Sequence, residues 1–100
     1  MHYPLPFARW GMDILGPFPK ATRQRKFIFV AVDYFTKWVE AWAVASITKR
    51  EVCKFTWTNI ITRFGVPRAM AFDNGCRFDT NEVRDYCAKY DIQKKIHNCH

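Results

Sequence analysis

No stretch of this sequence is long and apolar enough to cross a bilayer. The longest continuous apolar run, Phe27 to Val32, is six residues, where a spanning helix needs about 20. No secretory signal opens the chain: Met1 to Pro6 is short and proline-broken, with no apolar core. No C-x-x-C pair occurs, and the four cysteines, Cys53, Cys76, Cys87 and Cys99, lie far apart. These absences point to an intracellular chain with reduced thiols and no membrane partner. Acidic residues are also scarce, nine against 16 Lys and Arg, which leaves a formal net charge of +7 and a pI near 9.5. Such a balance favours a polyanionic partner. Nucleic acid stands ahead of a membrane surface because no basic amphipathic helix stands out. There are no internal repeats and no low-complexity tracts.

What is present is apolar and aromatic, 49% and 17% respectively, which argues for a packed domain rather than disorder. One hundred residues make one domain with little surplus stability. Residues 1–8, with Pro4 and Pro6, read as an extended linker, and the domain proper as residues 9–100. Residues 9–15 read as a strand with Trp10, Met12 and Ile14 on one face and Gly11, Asp13 and Leu15 on the other. Phe27 to Val32 is continuously apolar and β-prone, so it is expected to be a central strand buried on both faces. Trp38 to Val44 reads as a third strand, and the short connections imply an antiparallel meander. The basic connection Lys20 to Lys26 reads either as a solvated hairpin loop or as a phosphate-contacting loop.

The periodicity then changes. Thr48 to Glu51 is a capping box, and the helix after it carries Cys53, Trp57, Ile60 and Phe64 on one stripe. Gly65 and Pro67 close it. Ala69 to Phe72 reads as a buried strand. Asp79 to Glu82 open a second helix with the stripe Val83, Tyr86, Cys87 and Tyr90. Asp91 to Ile96 reads as a polar edge strand. The order β-β-β-α-β-α-β gives an α/β fold with a mixed sheet, antiparallel at first and then parallel through helical crossovers.

Two acids stand out within this scheme. Asp73 ends an apolar run and precedes the turn pair Asn74-Gly75, and Asp13 sits inside an otherwise apolar strand. A buried lone acid costs several kcal/mol unless compensated, and two brought together repel. A divalent cation resolves both costs: Mg²⁺ takes hard oxygen ligands, often one or two carboxylates, and leaves sites for water and phosphate oxygens. Such a pair could serve phosphoryl displacement. The plainer readings are a carboxylate bonded to a neighbouring turn for Asp13, and an ordinary Asp-Asn-Gly turn for Asp73. His97, Cys99 and His100 match no usual zinc spacing.

The wording around the acids is specific. Pro6-Phe7-Ala8-Arg9-Trp10-Gly11-Met12-Asp13-Ile14-Leu15-Gly16-Pro17-Phe18-Pro19 closely resembles the opening of the integrase core in plant gypsy-type LTR retrotransposon polyproteins. Phe29 to Ala41, Arg63-Phe64-Gly65-Val66-Pro67 and Asp73 to Phe78 resemble the same family in the same order. The resemblance implies a ribonuclease H-like fold and DNA integration by metal-dependent polynucleotidyl transfer. It implies Mg²⁺ or Mn²⁺ as cofactor, with Asp13 and Asp73 as catalytic metal ligands. It leaves Asp33, Glu40 and Asp79 outside the site. The implied partners are retroelement ends and target DNA, with a homodimer or higher oligomer, in the nucleus or a virus-like particle. Lys20, Arg23, Arg25, Lys26, Asn74 and Arg77 are the candidate nucleic-acid contacts. The family's third ligand is a Glu on a later helix, and 27 residues follow Asp73. That is too few to reach it, so the expectation is a C-terminally incomplete core, inactive alone. The alternative is a non-catalytic remnant that binds nucleic acid or a partner.

Overall fold

The structure, a computed structural model, describes residues 5–18, 27–73 and 78–96. Five strands form one sheet in the order β3-β2-β1-β4-β5. Strands β1 (Arg9–Leu15), β2 (Phe27–Asp33) and β3 (Val39–Val44) form the expected antiparallel meander. Strand β4 (Ala69–Phe72) runs parallel to β1 and β5 (Gln93–Ile96) runs parallel to β4. The mixed sheet is therefore the one the alternation of elements predicts.

The helical crossover between β3 and β4 comprises α1 (Lys49–Phe55), a π-helical segment (Thr56–Ile61) and α2 (Thr62–Phe64). Thr48 caps it, its hydroxyl accepting from the Glu51 amide at 3.1 Å. Threonine hydroxyls bond back to the preceding turn on both sides of the π segment, Thr56 to Val52 O at 2.9 Å and Thr62 to Thr58 O at 2.8 Å. Gly65 ends the helix at φ 91°, in the left-handed region that a side chain resists. Helix α3 (Asn81–Lys89) links β4 to β5. It closes with the Ile92 amide on Cys87 O at 2.8 Å, around Asp91 at φ 57°.

The core lies between one face of the sheet and these helices. Trp10, Met12, Phe29, Ala31, Met70 and Phe72 come from the strands, and Val52, Phe55, Ile60, Val83 and Cys87 from the helices. Four expectations are corrected here. First, β2 is buried on one face only: Phe29 and Ala31 are buried, but Val30 and Val32 are half-buried, because the described helices cover the opposite face. Second, the crossover helix faces the core with Val52, Phe55, Thr56 and Ile60, while Trp57 stays 45% exposed beside Tyr90. Third, the cap of α3 is Thr80, accepting from Val83 N at 3.3 Å. Glu82 instead reaches Lys49 across the helices at 2.6 Å, an exposed pair worth little. Fourth, residues 5–8 form a turn that packs, not an extended linker. Phe7 stacks on Phe64 with ring centroids 4.2 Å apart, and Ala8 O accepts from Arg68 and Ala69.

Asp33 and Glu40 hold this frame from inside. Asp33 is fully buried and accepts from Phe7 N at 3.0 Å, Thr36 N at 2.9 Å and Thr36 Oγ1 at 2.6 Å. Glu40 accepts from Trp38 Nε1 at 2.5 Å, Asn59 Nδ2 at 3.1 Å and Arg63 Nη1 at 2.8 Å, tying β3 to the π turn. Burial pushes the Cys87 thiol up to about 11, with Lys94 opposing and Cys53 adding to the rise. Burial likewise pushes the Tyr86 hydroxyl to about 12.

Replacing Asp33 by Ala removes the buried acceptor of Phe7 N in the N-terminal turn and of Thr36 N and Oγ1 in the β2–β3 turn. Bonds to a charged acceptor are worth about 1.5–3 kcal/mol each before relaxation, and the expected loss in urea unfolding is about 3 kcal/mol. A loss below about 1 kcal/mol would remove this role. The raised Cys87 value also fixes a sign. The unfolded thiol ionises first, so its contribution is intact below about pH 9 and is lost as pH climbs toward 11. Urea midpoints measured up that range should fall less steeply in Cys87→Ala than in the parent, with Tyr86 taking over above it.

Candidate functional site

The β1–β4 pairing decides where the two acids go. Its register sets Gly11 opposite Ala71 and Met12 opposite Phe72. The next step brings Asp13 level with Asp73, and the Asp73 amide donates to Met12 O at 2.8 Å. Because side chains alternate along a strand, Gly11, Asp13, Ala71 and Asp73 share the face that the helices leave uncovered. Asp13 and Asp73 line one cavity of about 290 Å³. Val30, directly opposite Asp13, and Val32 supply its apolar wall. Neither acid turns into the hydrophobic interior: Asp13 is half-buried and Asp73 exposed.

The Asp13 carboxylate is held by its neighbour, Oδ1 accepting from the Ile14 amide at 2.8 Å. The plainer reading expects a bond to a neighbouring turn; the donor is instead the next residue of the same strand. This bond leaves most of the carboxylate's acceptor capacity unused, so it orients the group without satisfying it. As a donor set the pair suits a hard divalent cation that keeps several waters. Among the described residues no group of three or more His, Cys, Asp or Glu side chains is placed to hold a metal. The other candidates, Lys20, Arg23, Arg25, Lys26, Asn74 and Arg77, lie outside the described residues, as do His97, Cys99 and His100.

Two residues in the cavity carry no signal of charge, and sequence reasoning passes over them. Tyr34 lines it, with the Arg9 guanidinium 4.5 Å from its ring centroid. The ring lies against Gly11, where an added Cβ would come within 2.6 Å of Tyr34 Cε1. A glycine inside a strand, two residues before the acid on the same face, is the one sequence feature that hints at such a close approach.

The chain matches the integrase core domain family over residues 4–100. It is 35% identical over 72 residues to the Gag-Pol polyprotein of avian reticuloendotheliosis virus, covering 72% of this chain and 6% of that protein. Over 92 residues it is 30% identical to the Gag-Pol polyprotein of koala retrovirus, covering 92% of this chain and 5% of that one. It thus spans a small fraction of these relatives. Among solved structures it is similar to a chain of the simian T-cell lymphotropic virus intasome in complex with PP2A regulatory subunit B56 gamma. That match has a TM-score of 0.80 at 25% identity, over 96% of this chain and 36% of that one. It is also similar to the HTLV-2 integrase catalytic core domain in complex with magnesium, in its dimeric form, with a TM-score of 0.77 at 25% identity. There it covers 92% of this chain and 61% of that one. These likenesses bear out the ribonuclease H-like sheet.

The contact at Gly11 has a measurable cost. Gly11→Ala forces the Tyr34 ring aside, and overpacking of this kind costs about 1–3 kcal/mol. In a Tyr34→Ala background most of that cost should vanish. Equal losses in both backgrounds, measured by thermal or urea unfolding, would show that the ring is not what the methyl meets.

Proposed function

The chain belongs to the integrase core domain family, found in retroviral Gag-Pol polyproteins, and from that premise we propose that it is the part of a retroelement integrase core that holds a divalent cation and DNA. The observation that carries this reading is the juxtaposition of Asp13 and Asp73 at one cavity across the β1–β4 ladder. Its motifs resemble those of gypsy-type elements, which supports that lineage for it.

Asp13 and Asp73 would hold Mg²⁺ or Mn²⁺. Bound there, such an ion supplies polarisation of a phosphoryl oxygen and a more acidic attacking hydroxyl. The chain's own residues do the rest. The Ile14 amide orients Asp13, and the strand ladder fixes its distance from Asp73. The net charge of +7 draws in a polyanion, with Lys20, Arg23, Arg25, Lys26, Asn74 and Arg77 as its contacts. Retroelement ends and target DNA are the substrates this reading assigns, in the nucleus or a virus-like particle. A homodimer or higher oligomer is supported by the dimeric HTLV-2 core and by the simian virus intasome.

Two carboxylates fix an ion's position poorly, and catalysis needs the reacting groups held within about 0.5 Å. The 100-residue chain is therefore assigned a metal- and DNA-holding role, with no strand transfer by itself. Titration of the purified chain with Mn²⁺, followed by calorimetry, should show weak binding that disappears in Asp13→Asn and in Asp73→Asn. Undiminished binding in both variants removes the site. Robust joining of DNA ends by the parent chain overturns the assignment of a holding role without strand transfer.

A further inference from the structure

Tyr34 lines the cavity that Asp13 and Asp73 share, and its ring is held there from two directions. Its backbone amide donates to Arg9 O at 3.0 Å. The Arg9 guanidinium sits 4.5 Å from the ring centroid. The phenol end rests on Gly11, with the hydroxyl 2.9 Å from the position a Cβ would take. Despite these contacts the residue stays 41% exposed. A large aromatic group kept exposed in a cavity that also holds two carboxylates is not packing a core. Mid-strand, Gly11 admits the ring where any side chain would push it away.

Distance gives this arrangement a use. Gly11 and Asp13 are two residues apart on one strand face, about 7 Å. The hydroxyl end of Tyr34, resting on Gly11, therefore lies one such step along the strand from Asp13, a spacing on the scale of neighbouring nucleotides. An aromatic face next to a phosphate site is how proteins hold unpaired bases, because every base has a π-face to offer. The Arg9 guanidinium over one face of the ring holds it in place by cation–π attraction.

We propose that Tyr34 is a substrate-positioning residue: its ring stacks on the base of the nucleotide adjoining the phosphate that a divalent cation at Asp13 and Asp73 would hold, with Arg9 and Gly11 fixing the ring for that purpose. This rests on the DNA-holding reading above. Since a base must leave the duplex to stack, the site prefers single-stranded or frayed ends to a closed duplex.

The test uses the purified chain with Mn²⁺ and a single-stranded oligonucleotide carrying 2-aminopurine and a terminal dye. Dye anisotropy reports binding, and 2-aminopurine emission reports stacking. The parent and Tyr34→Phe should both bind and both quench the emission. Tyr34→Leu should bind about tenfold more weakly and leave the emission unquenched, with its circular dichroism unchanged. Binding by the parent without quenching overturns the proposal whatever the variants do. So does a Tyr34→Leu complex that still quenches, or an affinity changed by less than about twofold. If the parent binds no DNA in any salt, the DNA-holding reading itself fails, and this assignment with it.

Discussion

The pairing of β1 with β4 is the contact on which the rest of the molecule depends. It is parallel, and parallel strands cannot be joined by a tight turn; they require a crossover. Much of the chain between them serves that need. The helix from Lys49 to Phe64 carries the backbone across one face, Gly65 releases it at a positive φ, and Pro67 keeps it from continuing. The Arg68 and Ala69 amides then catch Ala8 O, which sets the register before the strand begins. From there each residue of β4 is committed to a partner on β1, ending with the Asp73 amide on Met12 O. A slip of one residue would turn Asp73 into the core and Phe72 into the cavity, so the hydrophobic pattern and the site enforce the same alignment.

A second consequence concerns the two faces of the sheet. The described helices pack on the Trp10–Met12 side, so the aliphatic side chains of Val30 and Val32 on the other side are left half-buried beside the acids. On the proposed reading, a cation between the acids would offset their like charge, and a base lying on Tyr34 would cover part of the apolar surface. Two different kinds of contact, ionic and apolar, would then meet within a small volume.

Much of this was legible in the sequence, and the boundary follows a physical line. Strand β1 showed in the alternation around Asp13, and β4 in a short apolar run stopped by a turn pair. Both signals are local; the order of elements gave a mixed sheet without its strand order, and the motif resemblance is what set the two acids together. What was illegible depends on contacts between distant segments. Prolines at 4 and 6 suggest a free arm, but Phe7 finds Phe64 and Trp10, and its amide finds Asp33. The stripe of Cys53, Trp57, Ile60 and Phe64 has sound helical spacing, yet a π segment breaks the spacing at its middle. Asp79 and Thr80 both suit a helix cap; only the backbone direction decides for Thr80. Tyr34 itself carries no charge or spacing signal that points to the cavity; its position comes from the space Gly11 leaves open.

The acids themselves show how structure sorts residues of one chemical type into different work. Asp33 and Glu40 lie deeper than Asp13 or Asp73, and burial alone would nominate them for chemistry. Their surroundings argue otherwise. Each takes three hydrogen bonds from donors fixed by the fold, so a ligand would have to displace bonds that hold two turns and a helix. Asp13 takes one bond from the adjacent amide and faces a cavity. Asp73 stands exposed at a strand end beside it. Buried acids already satisfied by their own frame stabilise that frame, and an acid such as Asp13, which one adjacent amide orients toward a cavity, is the one the proposed site is built from.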